Sequence, residues 1–347
     1  MVTPSPARQF DRALGALLGC AIGDAMGMPA QSLSPDAIKR LYGDIEGFRD
    51  AAATHPFAAG LAAGRITDDT EQSLLLAHQL LESRDRFDEQ AWAGALLAWE
   101  RQTIVRGVHD LLGPSTKRAL EELFRGVPPE RTGLLGDTNG AAMRIAPVGI
   151  ATPRLPLEGL VARVREASRI THNTAEAMAA AAAVAAVVSA GVDGLDLAAA
   201  LGVAPAAARA AEAVTHQIGA VKFSGCLDRA LELADTAEGP EACASIAAGI
   251  GTSVAACQSV PMAFAIARIA GGDLLQAARI SANLGGDTDT MGAIACAMIG
   301  ACIGASMIPA DAVATVVDVN RLDLGPIVEG LLALRRSRSG APELGPP

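Results

Sequence analysis

NLGGDTDTMGAIACAMIGACIGASMI, residues 283–308, joins two opposed chemistries. Residues 291–308 carry no charge, whereas the head of the segment holds Asp287 and Asp289 two positions apart. Gly292, Cys296, Gly300 and Gly304 recur every four residues, which gives a helix one face of small side chains for tight packing. The run is long enough to span a bilayer, but its Gly and Ala content and the adjoining acid pair predict a buried helix instead. Burying two repelling carboxylates is costly unless something offsets them. The rest of the chain must supply that partner.

Composition extends the helical reading. Half of the 347 residues are hydrophobic yet only 3% are aromatic, so Ala, Leu, Val and Ile carry the apolar load. Small side chains suit packed helices better than a β-sandwich, which draws on β-branched and aromatic residues. Helical spacing recurs over 8–22, 70–83, 88–101, 115–125, 156–170, 174–190 and 204–217. It continues over 224–236, 252–270, 272–282, 289–305, 309–318 and 325–337, with Pro261 expected to kink or divide the 252–270 helix. No alternating β-branched run, fixed-period repeat or interdomain linker stands out. The expectation is one all-α, compact multi-helix globule over residues 1–340, with a flexible tail at 341–347. Loops at 43–66 and 126–141 exceed what a connection needs and are candidates for a functional rim.

Net charge is −10 and no Lys/Arg cluster forms a phosphate-backbone footprint, so nucleic acid is not an expected partner. Six cysteines without a CxxC pair read as small core residues in a reducing compartment, which disfavours structural zinc. Arg8 and Arg12 before LGALLGCAIG superficially resemble a signal peptide, but Asp11 and Asp24 bracket that run. A soluble, cytoplasmic protein with no membrane contact is expected.

A second acidic cluster, ITDDTEQ at 66–72, mirrors the first. Each interleaves Asp with Thr and opens an apolar helix. N-capping accounts for one such residue, and Asp68 with Glu71, or Asp69 with Gln72, has capping-box spacing. Two carboxylates per cluster are more than a cap requires. If the two helix starts converge, Asp68, Asp69, Asp287 and Asp289 offer four hard oxygen ligands, with Thr67 and Thr290 adding neutral oxygens. That inventory suits one or two Mg²⁺ or Mn²⁺ ions.

GALLGCAIGDAMGMP (15–29), TDDTEQ (67–72), GDTNGAAMRIAPVG (136–149), THNTAEA (171–177), SVP (259–261) and GGDTDTMG (285–292) occur in that order. Together they resemble the ADP-ribosylglycohydrolase family. The resemblance implies an all-α globule with a binuclear Mg²⁺ or Mn²⁺ centre, held by Thr67, Asp68, Asp69, Asp287, Asp289 and Thr290. It further implies an ADP-ribose cleft lined by Asn139, Gly140, Ala141, Met143 and His172. Asp24 is a further carboxylate to consider toward substrate, with a structural role such as capping as its better reading. Gly136 and Gly140 bracket a turn where bare backbone could approach a diphosphate, and Arg144 could neutralise it or brace the loop. His55 reads as a rim residue; His78, His109 and His216 read as structural. Lys117 and Arg118 read as a helix surface.

Many members of that family carry a Glu shortly after the GDA-x-G segment, where this chain has Gln31. An amide cannot take up a proton at neutral pH, so Gln31 is no general base. Three explanations stand open: Asp69 or Asp287 replaces it as base, metal-activated water relaxes the need, or the chain binds ADP-ribose without cleaving it. The expected activity is metal-dependent cleavage of an N- or O-glycosidic bond at the ribose anomeric carbon, on a small-molecule or ADP-ribosylated substrate. Asp69 or Asp287 would assist water while Gln31 orients substrate. The alternatives are an N-glycosidase of free nucleosides and a non-catalytic ADP-ribose or nucleotide-binding module.

Overall fold

A computed structural model of the protein describes residues 4–83, 86–105 and 113–339. The expected tail at 341–347 and His109 lie outside these residues. Helices build the described structure, and no β-strand occurs in it; the β-type pairing is one isolated bridge between Thr138 and Ala255. The elements that matter for the site are α1 (Pro6–Gly27), α2 (Asp68–Ser83), α3 (Gly140–Met143), α4 (Ala175–Val192), α5 (Phe223–Asp235), α6 (Ala256–Ala270) and α7 (Thr288–Ile303).

α4 is apolar on every side, and all of its residues are buried, as expected for a helix at the centre of a globule. Its C-terminal carbonyls need partners. Arg12 supplies one from α1, donating to Gly191 O at 2.5 Å and Leu195 O at 2.8 Å. Arg335 supplies others, donating to Ser189 O at 3.3 Å and to the Asp193 carboxylate. Both guanidiniums are buried where a helix end is electronegative.

The most extensive helix pair is α1 with α7. Gly15, Gly19, Gly23 and Gly27 face Gly300, Cys296, Gly292 and Thr288 in antiparallel order. A methyl at Gly23 would overlap the Gly292 carbonyl, and one at Gly292 would overlap the Gly23 carbonyl. The two backbones therefore touch, the kind of approach that small-residue faces allow. One consequence decides the site. The end of α1, with Asp24 and Gly27, is held against the start of α7, where Thr288 Oγ1 donates to Gly27 O at 2.8 Å.

Two expectations about helices change. The 252–270 helix begins only at Ala256 and runs through Pro261 as one element, so Pro261 does not divide it. The helix expected over 204–217 stops at Glu212. Of the two segments weighed as membrane-like, α1 is long and apolar enough to cross a bilayer and is buried in the fold, while α7 ends at Ile303; α4, outside those segments, is also long and apolar enough and is fully buried.

Candidate metal centre and active-site pocket

α2 begins against α1. Asp24 is fully buried and accepts from Thr67 N (3.0 Å), Thr67 Oγ1 (2.8 Å), Thr70 N (3.1 Å) and Thr70 Oγ1 (2.5 Å). A carboxylate on the neighbouring helix thus does the capping of α2. Asp68 and Asp69 are left free for other work. The expectation that Asp24 touches substrate is corrected here: no surface remains open on it, and its oxygens are committed to Thr67 and Thr70.

α7 starts differently. Asp287 stands at its N-cap without a side-chain capping bond and instead receives the Asn139 amide on Oδ2. Asp289, in the first turn of the helix, has both carboxylate oxygens buried without a hydrogen-bond partner. Asp69 Oδ1 is likewise buried and unpartnered, while its Oδ2 accepts from Thr67 Oγ1 at 3.3 Å. Oxygens from Asp24, Asp69 and Asp289 lie within 4.8 Å of one another. Asp68 is held by Gln72 Nε2 at 3.1 Å.

Five buried carboxylates this close cannot all be charged comfortably. Burial lifts Asp24 to about 6, with the Thr67 and Thr70 hydrogen bonds opposing the rise. Burial, then the charges of Asp24 and Asp287, raises Asp68 well above its ordinary range. Asp69 rises through burial and then Asp68; Asp289 rises through burial and then Asp69 and Asp287. Asp287 is raised by burial and relieved by Asn139. Orphaned acidic oxygens of this kind fit a hard divalent cation, and oxygen-only donors fit Mg²⁺ or Mn²⁺ better than zinc.

Above this cluster a narrow pocket opens. It is lined by Gln31, Asp68, Asp287 and Thr290 together with Thr138, Asn139, Gly140 and Met143. Gly113, Pro114, Thr116 and Val254 complete the lining. Gln31 is fixed by its neighbours: Ser32 N donates to Gly286 O at 2.7 Å and Gly286 N to Leu33 O at 2.9 Å. The Gln31 Oε1 atom is buried without a partner.

Two residues expected in the cleft, Ala141 and His172, are not among those lining it. Ala141 is fully buried in the core rather than on the pocket wall. His172 is fully buried, with Nε2 bonded to Thr138 Oγ1 at 2.9 Å and Nδ1 to Thr171 Oγ1 at 2.8 Å. It braces the loop, and a methyl on Gly140 would lie 2.9 Å from its Cε1. Burial, then the charges of Arg144 and Arg118, pushes its pKa well below the ordinary value. Of the two roles open to Arg144, bracing is the one it fills. It is buried, donates to Gln72 Oε1 at 2.6 Å and Thr171 Oγ1 at 2.5 Å, and lies 5.7 Å over the Trp92 ring. Arg118 is not a plain surface residue either, since it donates to Leu135 O beneath the same loop.

Gly136 also serves packing. A methyl there would overlap the Thr171 carbonyl, so the glycine is required by the neighbouring backbone. His55 sits in the 43–66 loop as expected, buried, with Nδ1 accepting from Ala58 N at 2.8 Å. Gly113, Pro114 and Val254 carried no chemical signal in the sequence; Thr138 stood inside a quoted motif and could have been singled out.

Residues 5–341 match the ADP-ribosylglycohydrolase family, and the chain belongs to it. Members of that family are glycosidic hydrolases, and so is this protein. The uncharacterized protein YegU of Escherichia coli (strain K12) is 33% identical over 329 residues, covering 94% of this chain and 98% of that protein. The ADP-ribosyl-[dinitrogen reductase] glycohydrolase of Rhodospirillum rubrum is 34% identical over 169 residues, 47% of this chain and 52% of that one. A solved structure of an ADP-ribosylglycohydrolase-related protein complex superposes with a TM-score of 0.66 at 28% identity, covering 96% of this chain and 99% of its own.

Proposed function

We propose that this protein is a metal-dependent hydrolase that removes ADP-ribose from a conjugate by cleaving an N- or O-glycosidic bond at the ribose anomeric carbon. The observation that carries the reading is the set of buried, unpartnered oxygens of Asp69 and Asp289 beneath a pocket edged by Asp68, Asp287 and Gln31. Thr67, Asp68, Asp69, Asp287, Asp289 and Thr290 are the residues that would hold two divalent cations, Mg²⁺ or Mn²⁺. When bound, such ions supply positive charge that fixes ribose hydroxyls and acidifies water.

The chain's own residues account for the rest. Gln31 Oε1 accepts a hydrogen bond from a ribose hydroxyl, relieving its own desolvation. Asp68 and Asp287 face the positive charge that develops on the ring as the glycosidic bond breaks. Asp287, rather than the deeper Asp69, lines the pocket and is the carboxylate placed to take the proton from attacking water. Asn139 orients Asp287 for that task. The name of the Rhodospirillum rubrum relative supports an ADP-ribosylated protein as substrate. Free thiols at all six cysteines suit a reducing compartment, in keeping with a cytoplasmic site of action.

The test is product analysis by mass spectrometry after incubation with ADP-ribosylated peptides, small conjugates and nucleosides. Free ADP-ribose should appear from a conjugate and disappear with chelator; release that persists in chelator overturns the metal mechanism. One observation favours a second reading, an N-glycosidase of free nucleosides: Arg144 is turned away from the pocket, so it does not meet a diphosphate. In a binding titration, ADP-ribose that gains nothing over adenosine selects that second reading.

A further inference from the structure

Four cysteines, Cys20, Cys243, Cys296 and Cys302, are buried, as expected of small core residues; Cys226 and Cys257 are only half-buried. These two stand in the first turns of α5 and α6. The two helices pack along each other. Near their far ends Arg268 Nε on α6 donates to Asp235 Oδ1 on α5 at 2.6 Å, which makes the pair parallel. Parallel packing puts the two first turns side by side, and Cys226 and Cys257 with them. Glu212 accepts from Ser224 N and Oγ, in the same turn of α5 as Cys226, each at 2.8 Å.

The segment that leads into α6 also borders the pocket, through Val254. Val254 O accepts from Asn139 N at 2.9 Å, Ala256 N donates to Asp137 O at 3.0 Å, and Ala255 bridges Thr138. Asn139 in turn holds Asp287. Cys257 therefore lies one residue beyond the backbone that fixes the Asp137–Asn139 loop.

We propose that Cys226 and Cys257 form a redox modification site, a dithiol that a peroxide converts into an intramolecular disulfide, with residues 254–256 carrying the change to the pocket wall. Cys226 reacts first, because the neighbouring Cys257 thiol draws its pKa down to about 7 and enriches the thiolate. Its sulfur attacks a peroxide oxygen, the O–O bond breaks and hydroxide leaves, giving a sulfenic acid. The Cys257 sulfur then attacks the sulfenic sulfur; the S–O bond breaks and water carries off the oxygen. Two thiols and one hydrogen peroxide yield one disulfide and two waters. The modification site does not rest on the hydrolase reading.

The full chain is treated with stoichiometric hydrogen peroxide, alkylated, digested without reductant and analysed by mass spectrometry. A peptide pair joining Cys226 to Cys257, about 2 Da lighter than its two halves, is expected. Cys226→Ser and Cys257→Ser should each abolish it. If both cysteines remain alkylatable, or oxidise singly to sulfinic acid, the dithiol is refuted. The pocket half of the proposal is read separately, as the rise in Tm on adding Mg²⁺ before and after oxidation. Oxidation should change that rise in the wild type and leave it unchanged in Cys226→Ser; an equal rise before and after oxidation overturns the link to the pocket.

Discussion

The starts of α2 and α7 carry nearly the same letters, TDDT and DTDT, yet they satisfy their backbones in opposite ways. At α2 a carboxylate from another helix, Asp24, accepts from two backbone N–H groups and two hydroxyls. At α7 nothing accepts in that manner, the N-cap carboxylate of Asp287 is turned to Asn139, and Asp289 is left unpaired. The difference teaches that capping consumes none of the four acids contributed by the two motifs. Together they form a buried acidic cluster whose charge a cation would offset.

The comparison breaks most completely if the seam that brings the two starts together is forced apart. Gly23→Ala sets a methyl into the Gly292 carbonyl with backbone on both sides, and it should destabilise the protein by more than about 3 kcal/mol in a denaturant titration. A near-neutral result would mean that α1 and α7 are not in backbone contact.

Removing the unpaired acid separates cost from purpose. Asp289→Ala should abolish the Mg²⁺-dependent rise in Tm and lower glycosidic activity by about 100-fold or more, while leaving the chelated protein as stable as wild type or more so. A chelated variant that is markedly less stable would show Asp289 to be an ordinary structural residue.

Asp24→Asn tests the other start. Its amide nitrogen would point a donor at groups that already donate, so a loss of about 1–3 kcal/mol is expected even in chelator. An unaltered stability would remove Asp24 as the cap of α2.

The smallest effect concerns the loop that joins the two starts to the pocket wall. His172 is neutral in the fold because its pKa is held well below 6.5, whereas an unfolded chain binds a proton there near 6.5. The unfolded state therefore gains protons first on acidification, and the contribution of His172 is full above 6.5 and lost below it. Relative to His172→Gln, the wild type should lose about 1 kcal/mol per pH unit between pH 6 and 5, followed by thermal melts. Parallel curves would show the ring to be protonated in the fold already.

Much of this was legible before any coordinates. The positions of most long helices followed from apolar spacing, because burial of one face is a local, periodic demand. The acidic motifs and the Gly-containing loop were visible as residue types, and Asn139, Gly140 and Met143 do line the pocket with Asp68, Asp287 and Gln31. What failed were assignments of facing. Ala141 and His172 belong to the same motifs but point into the core, since a four-residue helix such as α3 shows only part of itself to the pocket. Gly15, Gly19, Gly23 and Gly27 stood four apart in plain view, matching the spacing noted at the other end of the chain. Pairing the two rows requires knowing that they meet.

By itself, then, the sequence determined an all-α protein with small-residue helix faces and two acid-rich helix starts, because each is written in residues a few positions apart. Only the tertiary structure decided that Asp24 caps α2, that Asn139 holds Asp287, and that Asp69 and Asp289 share one buried space. Those contacts join residues 43 to 148 positions apart and more, and their energies come from burial and hydrogen bonding between segments that meet only when the glycine seam closes.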